Sequence, residues 1–363
     1  MKIAILSAVN IRHMSLISLY TDILKKNHVD YDIIYMDKYN EEEAFDCKTR
    51  YRYVNVIGRR WPRFFKKIKY MLFVPYAERI LKKNKYDFVI VWNDVAIFMF
   101  ADFLRRHYAG KYCMNVRDNM YYDKPFWNRR YGRSFQKAAF VTISSRGYLD
   151  ILPKGIDYVQ IQSLNLSVLD GMRKHDGLRS EGEPIRIGFI GYVRYFERNQ
   201  KLLDAFANDD RFELHYYGTK ANVLQAYAQE HGIRNTAFHD TFPVADTGKY
   251  LEKIDLVNNL YGNGTVNVRR AISIKLFHAI YSRVPILVCP NTYVGEVAKS
   301  LGMGFDVDDS EIDAALPDRL YAWYRSLDFD AMQAKGAAYM ESAIRENEAF
   351  AALVERYLNG NQQ

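Results

Sequence analysis

Short apolar runs alternating with longer stretches of helical periodicity set the plan of this chain of 363 residues. Residues 2–8, 31–36, 87–92, 112–116, 140–144 and 158–162 are near-continuous apolar runs, short enough to be strands of a sheet covered on both faces. Between them, 16–26 and 96–107 carry apolar residues at the spacing of one helix face. That alternation belongs to a parallel sheet with helices packed against it. Residues 169–184 interrupt it, being rich in Gly, Ser and charge without an apolar period, and they read as a linker.

The alternation then restarts. Strands are predicted at 185–190, 212–217, 236–239, 255–260 and 285–288, with helices at 200–208, 222–231, 274–282 and from 294 onward. A last helical stretch, 338–358, has no strand to follow it and is free to return to the first domain. The expected fold class is therefore α/β: two doubly wound Rossmann-like domains, 1–168 and 185–337, facing a cleft, joined by the linker and followed by a return helix at 338–363. A chain of this length exceeds one ordinary core, which agrees with two.

Composition changes this picture little except in two respects. Aromatic residues reach 15%, with 29 Tyr, which suits a protein that binds rings or meets an interface. The net charge of +8 is unevenly spread: residues 1–170 hold roughly 29 Lys and Arg against 17 Asp and Glu, the remainder about 22 against 26. Cys47, Cys113 and Cys289 lie far apart with no CxxC pair, so neither a disulfide framework nor a zinc site is expected. Residues 3–6 enter a strand directly, and no apolar run is long enough for a signal segment or a span, so a cytoplasmic protein is expected.

In open parallel sheets, ligands sit beyond the carboxyl ends of the strands. The first loop of interest runs Gly188-Phe-Ile-Gly191-Tyr-Val-Arg194-Tyr-Phe-Glu-Arg198-Asn199-Gln200, out of a predicted strand and into a helix. Gly191 would allow a tight turn, and Arg194 with Arg198 could reach a diphosphate near the helix N-terminus; a surface turn with two solvated arginines is the other reading. The second is Ser273-Ile-Lys275-Leu-Phe-His278, where Ser273 is a plausible N-cap and Lys275 and His278, three residues apart, share a face.

These segments resemble the donor-binding domain of bacterial GT-B glycosyltransferases of the family 4, or group 1, type. In those enzymes a strand ends in a Gly turn followed by basic residues and Asn-Gln, and a later segment reads roughly KLFEAMAxGxPV. Gly191, Arg194, Arg198, Asn199 and Gln200 fit the first pattern; Lys275, Leu276, Phe277, Ala279 and Pro285 fit the second. The resemblance implies a donor site for a nucleoside diphosphate sugar built from Gly191, Arg194, Arg198, Lys275, His278 and Arg270. Two glutamates usual in retaining members would fall at Arg270 and His278, and both are replaced. It also implies roles in the first domain for Arg12 and His13, at the donor phosphates and a sugar, with a plain polar loop as the equal alternative, and for Asp118 as general base or sugar contact, with a structural N-cap reading of Asp118 left open. Cationic side chains would serve in place of a metal, so no cofactor is expected beyond the sugar nucleotide.

Residues 48–85 carry the surplus charge. Arg59, Arg60, Lys66 and Lys67 stand among Trp61, Phe64 and Phe65, with further aromatics from Tyr51 to Tyr76 and Glu78 as the only acid. Rings interleaved with cations suit an anionic bilayer or a lipid-linked glycan acceptor, which would place the protein on the inner face of the plasma membrane. A solvated helix face and, less suitably, a nucleic-acid surface share that composition. The expected activity is glycosyl transfer in surface polysaccharide synthesis; a nucleotide-sugar epimerase and a non-catalytic binding subunit are the alternatives.

Overall fold

The computed structural model describes residues 1–14, 16–58 and 60–360, without the side chain of Arg63. Among these, two compact units are formed, Met1–Gln162 with Arg345–Gln363, and Ser163–Ile344. The first holds β1 (Ile3–Ser7), β2 (Tyr31–Asp37), β3 (Thr49–Val54), β4 (Phe88–Trp92), β5 (Tyr112–Val116), β6 (Phe140–Ile143) and β7 (Tyr158–Gln160) in one parallel sheet, ordered β3-β2-β1-β4-β5-β6-β7. Helices α1 (Ser18–Lys26), α2 (Arg63–Asn84), α3 (Asp94–His107) and α4 (Pro125–Phe135) link these strands. The central strands β1, β2, β4 and β5 are buried along their whole length, as continuous apolar runs require.

Right-handed crossovers fix where the helices go. The chain moves in one direction across the sheet through α2, α3 and α4, which therefore share a face, with α3 packed between its two neighbours. α1 connects β1 to β2 in the opposite direction and covers the other face, where Tyr20 and Leu24 join a core that includes Phe350 and Val354.

The second unit is a six-stranded parallel sheet, β10-β9-β8-β11-β12-β13, built from β8 (Ile185–Ile190), β9 (Phe212–Tyr217), β10 (Thr236–His239), β11 (Leu256–Asn258), β12 (Ile286–Val288) and β13 (Gly304–Asp306). Its helices are α5 (Phe196–Ala205), α6 (Ala221–Glu230), the short α7 (Thr247–Leu251) and α8 (Val266–Arg270), then α9 (Ile274–Ser282), α10 (Tyr293–Ser300), α11 (Leu316–Arg325) and α12 (Phe329–Leu358). Both sheets are doubly wound, with helices on both faces, an α/β arrangement.

Some boundaries differ from those read in the sequence, and an edge strand is not legible there. Residues 169–184 belong to the second unit, because Leu169 and Met172 are buried in its core. The last helix starts at Phe329, well before residue 338, and changes units near residue 344, so Met332 packs in the second core while Phe350 and Val354 pack in the first. Strand β3 carries Arg50, Tyr51, Arg52 and Tyr53 at the sheet edge. Its half-exposed, mixed pattern is that of an edge strand and hid it among the basic residues. No helix among the described residues is long and apolar enough to cross a membrane.

Candidate functional site

In the second unit the expected residues gather around the segment Asn258–Tyr261 that leaves β11. Gly191 ends β8 at φ +113, and the adjacent loop is so close that a Cβ on Gly218 would lie 2.0 Å from the Gly191 carbonyl oxygen. The buried Asn199 fastens the turn: its Nδ2 donates to the carbonyls of Arg194 (2.8 Å) and Tyr195 (3.1 Å), and its Oδ1 accepts from Asn258 Nδ2 at 3.3 Å. Tyr195 adopts φ +55 there, which leaves Arg194 exposed, its guanidinium 5.6 Å from the Tyr192 ring.

Arg198 is not a solvated arginine. It forms a bidentate ion pair with Asp309, whose carboxyl it holds below the usual range, and Nη1 reaches the Leu260 carbonyl at 3.4 Å. Gly262, at φ +80, covers the guanidinium so closely that a Cβ there would come within 2.7 Å of Nη2.

Lys275 and His278 lie on α9 as expected, but inside the unit rather than on an open face. Ser273 caps the helix, its side chain accepting from Lys275 N at 3.3 Å. Lys275 is 3% exposed, and its Nζ donates to the Asn258 carbonyl at 2.9 Å and sits 3.1 Å from the Phe189 ring centroid. Burial without a carboxylate partner drives its pKa well down. His278 is 8% exposed, its Nε2 has no hydrogen-bond partner among the described residues, and its pKa falls to about 4 through burial and then the neighbouring Lys275 charge. Arg270 closes α8 and is partly buried.

In the first unit, Arg12 and His13 form a short turn after β1. Arg12 is ion-paired with Glu41 and stacks 4.5 Å over Tyr39, while Glu43 accepts from the backbone N–H groups of Ile11 (2.8 Å) and Arg12 (2.9 Å). The loop is thus neutralised by acids of the segment that follows β2. His13 stands 5.6 Å from the Tyr39 ring, its pKa lowered by burial and then by Arg12.

Asp118 follows β5, with β4 between that strand and β1. It caps no helix: Lys124 precedes α4. It stands at the surface with its pKa raised, local packing outweighing Arg117. Asp94, which the sequence reading passed over, organises this corner. Its Oδ2 accepts from the backbone N–H groups of Arg117 (3.0 Å) and Asp118 (2.8 Å), and its Oδ1 accepts from the Tyr122 hydroxyl at 2.9 Å. Burial first, and then Asp118, pushes the Asp94 carboxyl up to about 7. Asn93-Asp94 directly after the apolar run of β4 was the available signal, since the same strand-end rule that selected Asp118 applies to it.

At the start of α2, Phe64 and Phe65 are 68% and 56% exposed, beside exposed Trp61, Ile68, Met71 and Leu72. Lys69 lies 5.5 Å over the Trp61 ring; Arg60 and Lys67 are exposed and Lys66 half-buried. Arg59 lies outside the described residues. The aromatic stretch does not form one face: Phe73 is fully buried, packing against Tyr53 and Phe100, and Tyr53 meets Tyr76 in a tilted contact at 4.9 Å.

No protein-family model matches the sequence, and no curated protein matches it significantly. Solved structures do. The chain is similar to sucrose-phosphate synthase from Thermosynechococcus elongatus at 13% identity and a TM-score of 0.65, over 98% of this chain and 99% of that one. Anabaena HepE, solved in complex with UDP, is similar at 13% identity and a TM-score of 0.65, over 98% and 100%. The UDP-GlcNAc 2-epimerase of Methanocaldococcus jannaschii is similar at 12% identity and a TM-score of 0.54, over 90% and 92%. At these identities the likeness shows the fold, which is GT-B along nearly the whole chain.

Proposed function

We propose that this chain is a glycosyltransferase that moves a sugar from a nucleoside diphosphate sugar to a lipid-linked glycan, in the synthesis of a bacterial surface polysaccharide. The carrying observation is the turn after β8, where Asn199 fastens the Arg194 and Tyr195 carbonyls in the segment that leads to Arg198, on a fold shared with a protein solved with UDP. A diphosphate there meets two guanidiniums and the N-terminus of α5, which together favour the charge that grows as the glycosidic C–O bond breaks. The acceptor hydroxyl forms the new C–O bond and gives its proton to a carboxylate, for which Asp118, steadied by Asp94, is the candidate.

Exposed rings and cations at the start of α2 support docking on the inner face of the plasma membrane, where a lipid-linked acceptor lies. The same surface argues for transfer over epimerisation of a soluble sugar nucleotide, although an epimerase shares the architecture. Thermal denaturation with UDP, GDP, dTDP and their sugars tests the reading: one base should raise the midpoint by mass action, and a flat response to all of them removes it.

A further inference from the structure

The loop between β5 and α4 and the first turn of α4 present a second group of aromatic side chains, distinct from those of α2. Phe126 is 73% exposed and Tyr121 41%. Trp127 meets both rings, Phe126 edge-on at 5.0 Å and Tyr121 at 6.2 Å, and Phe98 of α3 supports it from below at 4.9 Å. Arg130 braces the back of the cluster, 5.5 Å from Trp127 and 5.4 Å from Phe98, held by Asp102 at 2.7 Å and the Phe98 carbonyl at 2.9 Å.

The loop carrying Tyr121 is pinned throughout. Asn119 donates to Asp123 at 2.9 Å and accepts from Tyr122 N at 2.8 Å; the Tyr131 hydroxyl donates to the Met120 carbonyl at 2.8 Å; Asn128 donates to the Tyr122 carbonyl at 2.9 Å. Within this frame Tyr121 is held at φ +66, a conformation that costs a bulky side chain energy and persists only where surrounding contacts enforce it. Rigid rings, partly exposed and spread over a strained loop, form a preorganised surface rather than a loose apolar patch.

Charge separates this surface from the one on α2. Two of its cations are matched by nearby acids, Arg130 by Asp102 and Lys124 by Asp123, and Asp118 stands at the surface three residues before Tyr121, whereas Arg129 and Arg133 are exposed further along α4. An anionic bilayer is repelled by exposed carboxylates, whereas a neutral polyhydroxylated ligand uses them, together with amides, as hydrogen-bond partners for its hydroxyls while its C–H faces lie on the rings. We propose that Tyr121, Phe126 and Trp127 are a stacking platform for sugar rings of the acceptor glycan, which leads the acceptor toward Asp118. The proposal rests on the glycosyltransferase reading and adds the place where a carbohydrate chain, rather than its lipid, is held.

Lipid-free glycans test it: oligomers of glucose, of galactose and of N-acetylglucosamine, titrated against the full chain while tryptophan fluorescence is followed. At least one should bind the wild type, and Phe126→Ala and Tyr121→Gly should each weaken it about five- to tenfold, the scale of one aromatic contact. Tyr121→Gly should also leave the melting midpoint unchanged or raised, since glycine accepts φ +66 freely, so its loss of binding cannot come from unfolding. Two outcomes overturn the proposal: no oligomer binds the wild type, or Phe126→Ala leaves glycan binding intact and instead abolishes flotation with phosphatidylglycerol vesicles. UDP-induced stabilisation, measured on the same samples, reports on the nucleotide site separately. UDP stabilisation without glycan binding removes the platform alone, and glycan binding without any nucleotide effect keeps the platform and removes the donor reading.

Discussion

The Lys275 ammonium lies 3.1 Å from the centroid of the Phe189 ring, with the Asn258 carbonyl as its acceptor at 2.9 Å. Ring and carbonyl offset part of the loss of hydration, but they supply no negative charge, so the protonated form is disfavoured in the folded chain. The unfolded chain binds the proton up to about pH 10.4, and stability therefore rises with pH toward that value. Lys275→Met should raise stability at pH 7 by at least about 1 kcal/mol and flatten this rise, because an apolar chain of similar length needs no hydration. Denaturant titration at pH 7 and pH 10 measures both. If the lysine also holds the donor, nucleotide affinity falls in the same, more stable variant; unchanged affinity assigns Lys275 to the interior alone.

His278 gives the acid side of the same argument. Its pKa is about 4 in the folded chain against about 6.5 in the unfolded chain, so the unfolded state binds more protons between these values. Stability contributed by the neutral ring is complete above about pH 6.5 and is lost as pH falls toward 4, by on the order of 3 kcal/mol. His278→Leu should remove that slope. His278→Glu places a carboxylate beside Lys275 and should retain or tighten donor binding, while the Leu variant should lose it; normal binding by His278→Leu would make the residue a packing element only.

Much of this was legible in the sequence, for identifiable reasons. The central strands of both sheets are legible because burial on two faces demands unbroken apolar runs, whereas the edge strands β3 and β13, only partly buried, are not; α9 is legible at its N-terminus because Ser273 caps it. The residues proposed for the donor site are singled out by motif, yet their partners are not. Asp309 lies 111 positions from Arg198, and Asn258 17 from Lys275, separations at which no local pattern speaks. Asp94 escaped because the residue after an apolar run reads as an ordinary helix start, and only the fold brings the next strand's loop onto its carboxylate. The platform on α4 escaped because Tyr121, Phe126 and Trp127 have no helical period; a strained loop aligns them.

Arg198 and Asp309 set a competition that nucleotide binding must enter. Arg198→Ala should weaken nucleoside diphosphate binding by about 1.5 to 3 kcal/mol, the range for a charged hydrogen bond, and Arg194→Ala by a similar amount. Asp309→Asn removes a carboxylate that holds the Arg198 guanidinium and should tighten binding. Calorimetric titration of the three variants decides the matter: weaker binding by Asp309→Asn would mean that the ion pair orients Arg198 for the ligand rather than occupying it.

The start of α2 makes the last prediction. Phe64, Phe65 and Trp61 expose their rings while Phe73, one stretch further along the same helix, is buried, so the outer turns hold apolar area that the fold itself does not use. Arg60, Lys66 and Lys67 stand next to those rings in sequence, each cation near an anionic surface adding about 1 kcal/mol. The chain should therefore float with vesicles containing phosphatidylglycerol and be released as salt rises, since screening acts over about 8 to 10 Å near physiological ionic strength. Lys66→Glu combined with Lys67→Glu should abolish flotation, and Phe64→Ser with Phe65→Ser should weaken it even at low salt, because the apolar part of the interaction is not screened. Both pairs should keep UDP-induced stabilisation, as Arg194, Arg198 and Lys275, proposed for the diphosphate, belong to the other unit. A wild-type chain that ignores anionic vesicles at low salt would make this a solvated helix end and the acceptor a soluble one.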